Sequence, residues 1–205
     1  MIARGFYEGH QVPAVRNALF SIKAKYGKLI AQAALITGLA EELIQSVVFI
    51  ESAGKPDARS GAGALGLMQL LPVTAEDSLF LARKKDLLTA DLITALNAVL
   101  AGKLSLVLKR PNLGVKPAFR IPLAWLVRPE VSILIGSVFL SLLIKEATQA
   151  DGTVRLDLAI ARYNRGYFFK PRGTIEELVA SVPAETRGYI LKLAGVNSTL
   201  DLLAA

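Results

Sequence analysis

The stretch that decides the fold joins the end of one apolar helical pattern to the start of another. It reads Phe-Ile-Glu-Ser at residues 49–52 and Gly-Ala-Leu-Gly-Leu-Met-Gln-Leu-Leu-Pro at residues 63–72, with a loop rich in glycine, serine and alanine between them. The first pattern should end near Gly54, and Pro72 suits the first turn of a helix. We therefore predict two helices joined by an irregular turn or small hairpin, with one carboxylate, Glu51, at the end of the first helix.

Working outward, the chain is helical in pattern almost throughout, which predicts an all-α fold, or α with a minimal β-hairpin. Its 205 residues fit a single domain. The run at residues 131–144 is strongly apolar, but it is shorter than the roughly 18 residues that a spanning helix needs, so we expect a buried helix. Helices are predicted at residues 12–26, 28–37, Glu41–Ser52, 73–83, 130–146, 156–163, 174–181 and 184–194, with a short helical element at 67–71.

The composition excludes several classes of site. The chain has no cysteine and one histidine, His10, which excludes disulfide scaffolds, thiolate zinc sites, cysteine nucleophiles and sites built on several histidines. We expect no metal and no cofactor, and any general acid or base must be a carboxylate, a lysine or a tyrosine. The formal charge of +7 favours an anionic partner, namely nucleic acid, a membrane surface or a cell-wall polymer.

Glu51 is the candidate for acid–base chemistry. A carboxyl group among apolar residues, near the negative end of a helix dipole, should have a raised pKa and could serve as a general acid. Taken alone, such a glutamate is more often a solvated surface residue. The glycines at 61, 63 and 66 would let a backbone approach an extended ligand closely. A dinucleotide loop is rejected, because no strand precedes these glycines and no acidic residue follows at a strand end.

Further motifs follow in a fixed order along the chain. Residues 161–166 read Ala-Arg-Tyr-Asn-Arg-Gly, and residues 185–190 read Glu-Thr-Arg-Gly-Tyr-Ile. Residues 129–136 read Pro-Glu-Val-Ser-Ile-Leu-Ile-Gly, and Phe139 and Leu140 come shortly after them. Together with the stretch quoted above, these five motifs resemble the successive motifs of the soluble lytic transglycosylase family. Their order makes the resemblance far more specific than any single motif.

The resemblance implies a lysozyme-like, all-helical fold that cleaves the MurNAc–GlcNAc β-1,4 bond of peptidoglycan. It implies that Glu51 is the sole catalytic carboxylate, which protonates the glycosidic oxygen and then acts as base on the C6 hydroxyl of MurNAc. The product is a 1,6-anhydro sugar, and no water is consumed. Residues implied to bind or orient the substrate or the acid are Ser52 beside Glu51, Met68 and Gln69 in the cleft, Tyr163 and Asn164 opposite the acid, and Tyr189 near the floor.

Two other functions remain open. Most glycosidases use two carboxylates, and the nearest acidic residue in sequence is Asp57, which is not clearly directed inward. Goose-type lysozymes, the hydrolytic relatives, carry an aspartate where this chain has Leu71, which favours the transglycosylase over a hydrolytic, goose-type-like lysozyme. The third possibility is a wall-penetrating component of a virion or secretion assembly that keeps the fold.

The chain departs from the family pattern at three places. Ser132 replaces an asparagine, Phe139 replaces a tyrosine, and the spacing from Pro72 to Pro129 is longer than expected. The extra length predicts an inserted helical segment at about 84–129, of which residues 92–129 contain no acidic residue. This acid-free stretch either thickens the core or forms a basic arm that contacts an anionic membrane or wall. Its cations are Lys103, Lys109, Arg110, Lys116, Arg120 and Arg128.

Charge and the first residues bear on partners and location. We expect peptidoglycan glycan strands as the partner and no nucleic acid, because the basic residues are scattered and no stacking platform is evident. A second basic cluster, Arg162, Arg165, Lys170 and Arg172, is either solvated surface charge or attracts the carboxylates of peptidoglycan. Residues 1–9 lack an apolar core and cleavage site, so no signal peptide is expected. The expected place of action is the cell wall (periplasm), reached as a phage-encoded or virion-associated protein or by a dedicated export route.

Overall fold

The computed structural model describes residues 6–170, 173–195 and 198–204, so Arg172 of the second basic cluster lies outside the described residues. Within these ranges the chain forms eleven helices and three isolated antiparallel bridges, and the predicted all-α fold is confirmed. The helices are α1 (Val12–Thr37), α2 (Glu41–Ser52), α3 (Pro72–Lys84), α4 (Ala90–Val99), α5 (Leu104–Leu108), α6 (Leu123–Leu126), α7 (Pro129–Ala147), α8 (Leu156–Arg165), α9 (Ile175–Ser181), α10 (Ala184–Ala194) and α11 (Thr199–Ala204).

The helix α7 is the centre of the fold. Nearly every residue from Val131 to Leu143 is buried, because α1, α3 and α8 pack around the helix and α2, α4 and α6 touch it as well. Pro129 begins the helix at a position where a missing backbone N–H costs nothing. Among the described helices, α7 included, none is both long enough and apolar enough to span a membrane.

The two helices predicted on either side of Gly27 are a single helix, α1. A glycine inside a helix costs about 1 kcal/mol relative to alanine, which is less than the packing on both sides of it contributes. Leu19 and Ile22 are buried before the glycine, and Ile30 and Ala33 are buried after it. Tertiary packing of both halves therefore overrides the local signal.

The connection between α2 and α3 contains the small hairpin predicted for residues 54–66. Backbone bridges pair Arg59 with Leu65 and Leu65 with Leu70. The short helical element predicted at 67–71 is wrong: Leu65 and Leu70 exchange two N–H···O bonds of 3.0 Å, which close a turn instead. Gln69 in this turn has φ 46°, outside the range of a right-handed helix.

The segment between α3 and α7 packs into the main core. Leu92 and Leu96 of α4 and Leu104 and Val107 of α5 are almost fully buried. These residues belong to the same hydrophobic cluster as α7, so the helices of this segment thicken the core.

Two cations of the acid-free stretch also fold back onto α3. Arg110 lies 2.6 Å from Asp77, and Arg120 lies 2.7 Å from Glu76. The Glu76 carboxylate is buried and accepts a second hydrogen bond from the backbone N–H of Ile121, at 3.0 Å. The guanidinium of Arg110 stacks over Phe80 at 4.7 Å from the ring centre. These two cations hold the segment in place and are not available as free surface charge.

The close approach of Gly66 to α6 and α7 gives a test of the fold. A Cβ at Gly66 would overlap the Leu126 backbone oxygen and come within 2.7 Å of Ser132 Oγ, and the residue also has φ 81°. We expect Gly66→Ala to lower the free energy of unfolding by about 3 kcal/mol or more, since backbone cannot move aside cheaply. Urea unfolding followed by circular dichroism measures the loss.

Gly63→Ala is the matched control for this substitution. Gly63 has φ 84°, but a Cβ there meets nothing within 4 Å, so only the backbone strain of about 1 kcal/mol applies. Equal losses for the two variants would contradict the proposed close packing at Gly66.

Candidate active site

The motifs found in the sequence converge on a recess of about 420 Å³. Glu51 lines it from the end of α2, and Gln69 and Leu71 line it from the turn before α3. The first turn of α3, the middle of α7, the end of α8 and the start of α10 complete the walls. Segments that are far apart in sequence therefore meet around one carboxylate.

Glu51 is the next-to-last residue of α2 and is only partly exposed. The hydroxyl of Tyr189, on α10, donates a hydrogen bond of 2.8 Å to its Oε1. Tyr189 is itself buried, so this bond is made away from bulk water. The bond fixes the position of the carboxyl group at the edge of the recess.

Burial raises the pKa of the Glu51 carboxyl from its ordinary 4.5 to about 7. The hydrogen bond from Tyr189 lowers the pKa, the negative charge of Glu185 raises it, and the positive charge of Lys192 lowers it, so burial is the dominant effect. The direction agrees with the sequence-based expectation for a carboxyl group among apolar residues, with burial as the largest cause. A carboxyl group with this pKa can both give and accept a proton near neutral pH.

Tyr163 and Tyr189 lie on the two helices that face Glu51. Tyr163, on α8, donates a hydrogen bond of 2.9 Å to the backbone oxygen of Met68, and its ring packs against Phe139 with centroids 5.1 Å apart. Burial, with the nearby Glu51 charge, raises the pKa of both tyrosines well above the ordinary value. Both hydroxyls therefore stay protonated and act as hydrogen-bond donors.

Gln69 lines the recess, as the resemblance implies. Its side-chain nitrogen donates hydrogen bonds of 3.0 Å to the backbone oxygens of Ala58 and Gly66. The amide group is thus oriented by the hairpin, with its nitrogen committed to the backbone. Its backbone is left-handed, with φ 46°, within the turn that closes between Leu65 and Leu70.

Met68 differs from its expected place in the cleft. Its side chain is fully buried and fills the space above Gly136 of α7, whose missing Cβ makes room for the sulfur. What Met68 offers the site is its backbone: the N–H donates to Ser132 Oγ at 3.1 Å, and the oxygen accepts from Tyr163. Ser132 thus braces this turn from α7, at the position where the family pattern has an asparagine.

Ser52 also differs from the expectation that it binds substrate or orients Glu51. Its buried hydroxyl lies 2.9 Å from the backbone oxygens of both Val48 and Leu67, and it accepts the N–H of Gly54 at 3.2 Å. The side chain does not line the recess. Ser52 instead ties the end of α2 to the turn that carries Gln69.

Asn164 lines the recess at the end of α8. Its side-chain oxygen accepts a hydrogen bond of 2.7 Å from the hydroxyl of Thr186, a buried residue of α10. This bond occupies the side-chain oxygen and orients the amide group within the wall of the recess. It also links α8 to α10 beside the Tyr189 contact.

The acidic residue that shares the recess with Glu51 is not the acidic residue nearest to it in sequence. Asp57 is exposed and does not line the recess, whereas Glu185, at the start of α10, does line it. The charge of Glu185 is close enough to raise the pKa of Glu51. Sequence reasoning noted Glu185 within a motif but assigned it no role.

Other lining residues were also missed as candidates. Thr74 lies in the first turn of α3, Ser60 and Gly61 lie in the hairpin, and Arg165 ends α8. Thr74 follows Pro72 by two positions. Because Pro72 predicts the start of a helix, this spacing could have placed Thr74 in the first turn of that helix, beside the recess. Among the described residues, no group of three or more metal-ligating side chains of the histidine, cysteine, aspartate and glutamate types comes together.

Comparisons with known proteins agree with this geometry. The model of the family described as Transglycosylase SLT domain matches residues 28–102, from α1 through the turn after α4. A solved structure of an inactive mutant of the lytic transglycosylase Slt from Pseudomonas aeruginosa is similar, with a TM-score of 0.51 and 24% sequence identity. The similarity covers 82% of this chain and 22% of that chain, so the chain corresponds to about a fifth of that protein's length.

These findings confirm the resemblance to the soluble lytic transglycosylase family and the lysozyme-like, all-helical fold. The family match includes residues 84–102, the first part of the segment predicted to be an insertion.

The raised pKa of Glu51 predicts a pH-dependent effect of Glu51→Gln on stability. A buried carboxyl whose folded pKa is about 7, against 4.5 when unfolded, stabilises the fold fully below pH 4.5, and that contribution is lost as pH rises through 7. We therefore expect the glutamine variant to be more stable than the parent above pH 7, by up to about 3 kcal/mol, and equally stable near pH 4. Urea unfolding between pH 4 and 8.5 measures the difference.

A stability difference between Glu51→Gln and the parent that stays constant across this pH range would contradict the raised pKa. Glu42→Gln, at an exposed position of the same helix, is the control and should show no such rise.

Proposed function

We propose that the chain is an enzyme, a peptidoglycan lytic transglycosylase, that cleaves the MurNAc–GlcNAc β-1,4 bond and forms 1,6-anhydro-MurNAc ends. The observation that carries the proposal is the Glu51 carboxyl group, with a pKa of about 7, held by Tyr189 in a recess built from the family's motifs. The match to the Transglycosylase SLT domain supports the substrate class.

The proposed reaction uses Glu51 twice. In the first step the protonated carboxyl gives its proton to the glycosidic oxygen as the bond from C1 of MurNAc breaks, and the GlcNAc side leaves with a hydroxyl group. In the second step the Glu51 carboxylate takes the proton of the C6 hydroxyl of MurNAc, whose oxygen bonds to C1. A pKa of about 7 serves both steps, because the acid and base forms are both accessible at neutral pH.

The surrounding residues are proposed to position the sugar and the acid. Tyr189 keeps the carboxyl oriented after it loses its proton, since its hydroxyl is a donor to Oε1. Gln69 and Asn164 present amide groups, oriented by backbone and by Thr186, to the sugar or its N-acetyl group. The N-acetyl group of the substrate stabilises the positive charge at C1, so that no second protein carboxylate is required.

Hydrolysis is the second candidate, and Glu185 is the observation that favours it. Two carboxylates that line one recess are the usual equipment of a glycosidase that activates water. Glu185 is exposed, so water reaches it. A goose-type-like lysozyme would use Glu185 as its second carboxylate, in place of the aspartate absent at Leu71.

Digestion of purified peptidoglycan separates the two reactions. Mass spectrometry of the products should show ends one water lighter than hydrolytic muropeptides, because the C6 oxygen closes the ring internally. Glu51→Gln should reduce product release about a thousandfold, the scale of a lost general acid and base. The rate of cleavage should fall as pH rises through about 7, as the acid form of Glu51 is lost.

Glu185→Gln is the matched control in the same recess. It should keep the anhydro products and move the fall in rate to lower pH, since the Glu185 charge raises the pKa of Glu51. Reducing ends in the parent, together with loss of all cleavage in Glu185→Gln, would establish the hydrolase and overturn the transglycosylase.

The substrate determines the proposed place of action. Peptidoglycan lies outside the cytoplasmic membrane, so the proposed activity requires delivery to the cell wall, as a phage endolysin, a virion component or an exported enzyme. An active enzyme built into a wall-penetrating virion or secretion assembly fits the same site, because Glu51, Gln69 and Tyr163 line one recess.

We further propose that the segment between α3 and α7 contacts an anionic wall or membrane through its exposed residues. Lys103, Lys109 and Lys116 are exposed there, and the apolar Leu106 and Val115 are exposed among them. These residues lie in the acid-free stretch, so no acidic residue close to them in sequence would repel an anionic surface.

Replacing the three exposed lysines with glutamine should weaken binding to insoluble peptidoglycan or to anionic lipid vesicles at low salt, in a sedimentation assay. The effect should be several-fold and should disappear at high salt, because surface charges are screened there. The control replaces Lys23, Lys25 and Lys28 of α1, which removes the same charge from another part of the surface. Equal weakening by both triple variants would contradict a role specific to this segment.

A further inference from the structure

Arg165 is the cation of the recess. It is the last residue of α8, it is exposed, and it lines the same recess as Glu51 and Glu185. Gly166 follows with φ 98° and ends the helix at this point. The charge of Arg165 is therefore presented to whatever occupies the recess, next to Asn164.

The other cations of the second basic cluster are placed differently. Arg162 is buried, and its guanidinium donates to Phe169 O at 2.9 Å and to Glu146 Oε2 at 3.4 Å, so it is structural. Lys170 is exposed and does not line the recess. Within residues 6–170, 173–195 and 198–204, Arg165 makes no ion pair with an acidic side chain.

The guanidinium group of Arg165 packs on an aromatic side chain. Its guanidinium lies over the ring of Phe169, at 5.8 Å from the ring centre. The Phe169 backbone is held from both sides, since its N–H donates to Gly166 O at 3.0 Å and its oxygen accepts from Arg162. Stacking on a held ring restricts the side chain and leaves the edges of the guanidinium plane free to donate hydrogen bonds.

A neutral sugar would gain no charge–charge attraction from Arg165. The two acids of the recess do not need it as a partner, because neither is within ion-pair distance of Arg165. A carboxylate on the ligand would be attracted by Arg165, and this attraction would offset the repulsion from Glu51 and Glu185. The planar fork of an arginine binds a carboxylate through two parallel hydrogen bonds.

We propose that Arg165 binds a carboxylate carried by the glycan strand and makes the recess selective for strands that bear one. The inference rests on the proposed function, because it assumes that a glycan strand occupies the recess. The carboxylate comes either from the lactyl group of a MurNAc that carries no stem peptide, or from the stem peptide itself where one is attached through an amide of the lactyl carboxyl. Both sources share the chemistry, and the ligands of the experiment distinguish them.

Binding is measured by calorimetry in the Glu51→Gln background, so that the ligands are not consumed. The ligands are a neutral N-acetylglucosamine oligomer, glycan strands stripped of peptide, in which the lactyl carboxylate is free, and strands that carry stem peptides, in which that carboxyl is an amide. Arg165→Gln should weaken binding of carboxylate-bearing strands about fivefold to tenfold, the scale of one partly exposed charge-assisted contact. Binding of the neutral oligomer should not change.

Two further variants separate charge from position. Arg165→Lys keeps the charge and should recover part of the affinity, but less than the arginine, because it lacks the fork. Lys170→Gln removes the same charge from an exposed position outside the recess and should leave all three affinities unchanged. The difference between parent and Arg165→Gln should shrink at high salt.

Each outcome decides the proposal. Weakening confined to peptide-bearing strands supports the stem-peptide carboxylates. Weakening confined to stripped strands supports the lactyl carboxylate, which is free only there, and weakening for both kinds of strand supports a position that accepts either carboxylate. Unchanged binding of both strands in Arg165→Gln, or equal weakening for the neutral oligomer, overturns the inference. The proposed function is tested separately, by the products that the protein with Glu51 intact releases. A negative result for Arg165 therefore leaves the proposed function standing. If carboxylate-bearing strands bind no better than the neutral oligomer, the proposed selectivity is overturned.

Discussion

The hydrogen bond from the Tyr189 hydroxyl to Glu51 joins residues 138 positions apart, and the site depends on it. It can form only because α10 packs against both α2 and α8, which brings the end of each helix to one place. The same packing buries the carboxyl group and thereby sets its pKa. Tyr163 then fixes the opposite side through the backbone of Met68, so that two buried tyrosines position a helix end and a turn together.

Much of the fold is predictable from local patterns. The bounds of α2 and α10 agree with the prediction, because charged first turns and a terminating glycine or proline mark them clearly. The single helix α1 was not predicted, because the local cost of Gly27 is visible in the sequence while the packing that offsets it is not. The ion pairs of Arg110 and Arg120 depend on partners in α3, and no local pattern shows such a pairing.

The candidate site was predictable in its chemistry more than in its geometry. The motifs pointed to Glu51, Gln69, Tyr163, Asn164 and Tyr189, which the structure brings to one recess or to its floor. They could not show that Met68 is buried while its neighbour Gln69 lines the recess, because this division depends on the turn closed between Leu65 and Leu70, which the motifs do not reveal. Nor could proximity in sequence identify the second acid of the recess, because Asp57 does not line the recess and Glu185, at the start of α10, does.

The two adjacent acids of α3, Glu76 and Asp77, tie the stability of this helix to the segment between α3 and α7. Glu76 is buried, and both of its side-chain contacts come from residues after α5. A chain that lost the segment between α3 and α7 would leave these two carboxylates without their cationic partners. A buried charge without a partner strongly destabilises a fold. The segment and the acid pair are therefore energetically coupled, and a chain shortened between α3 and α7 would need neutral residues at these two α3 positions.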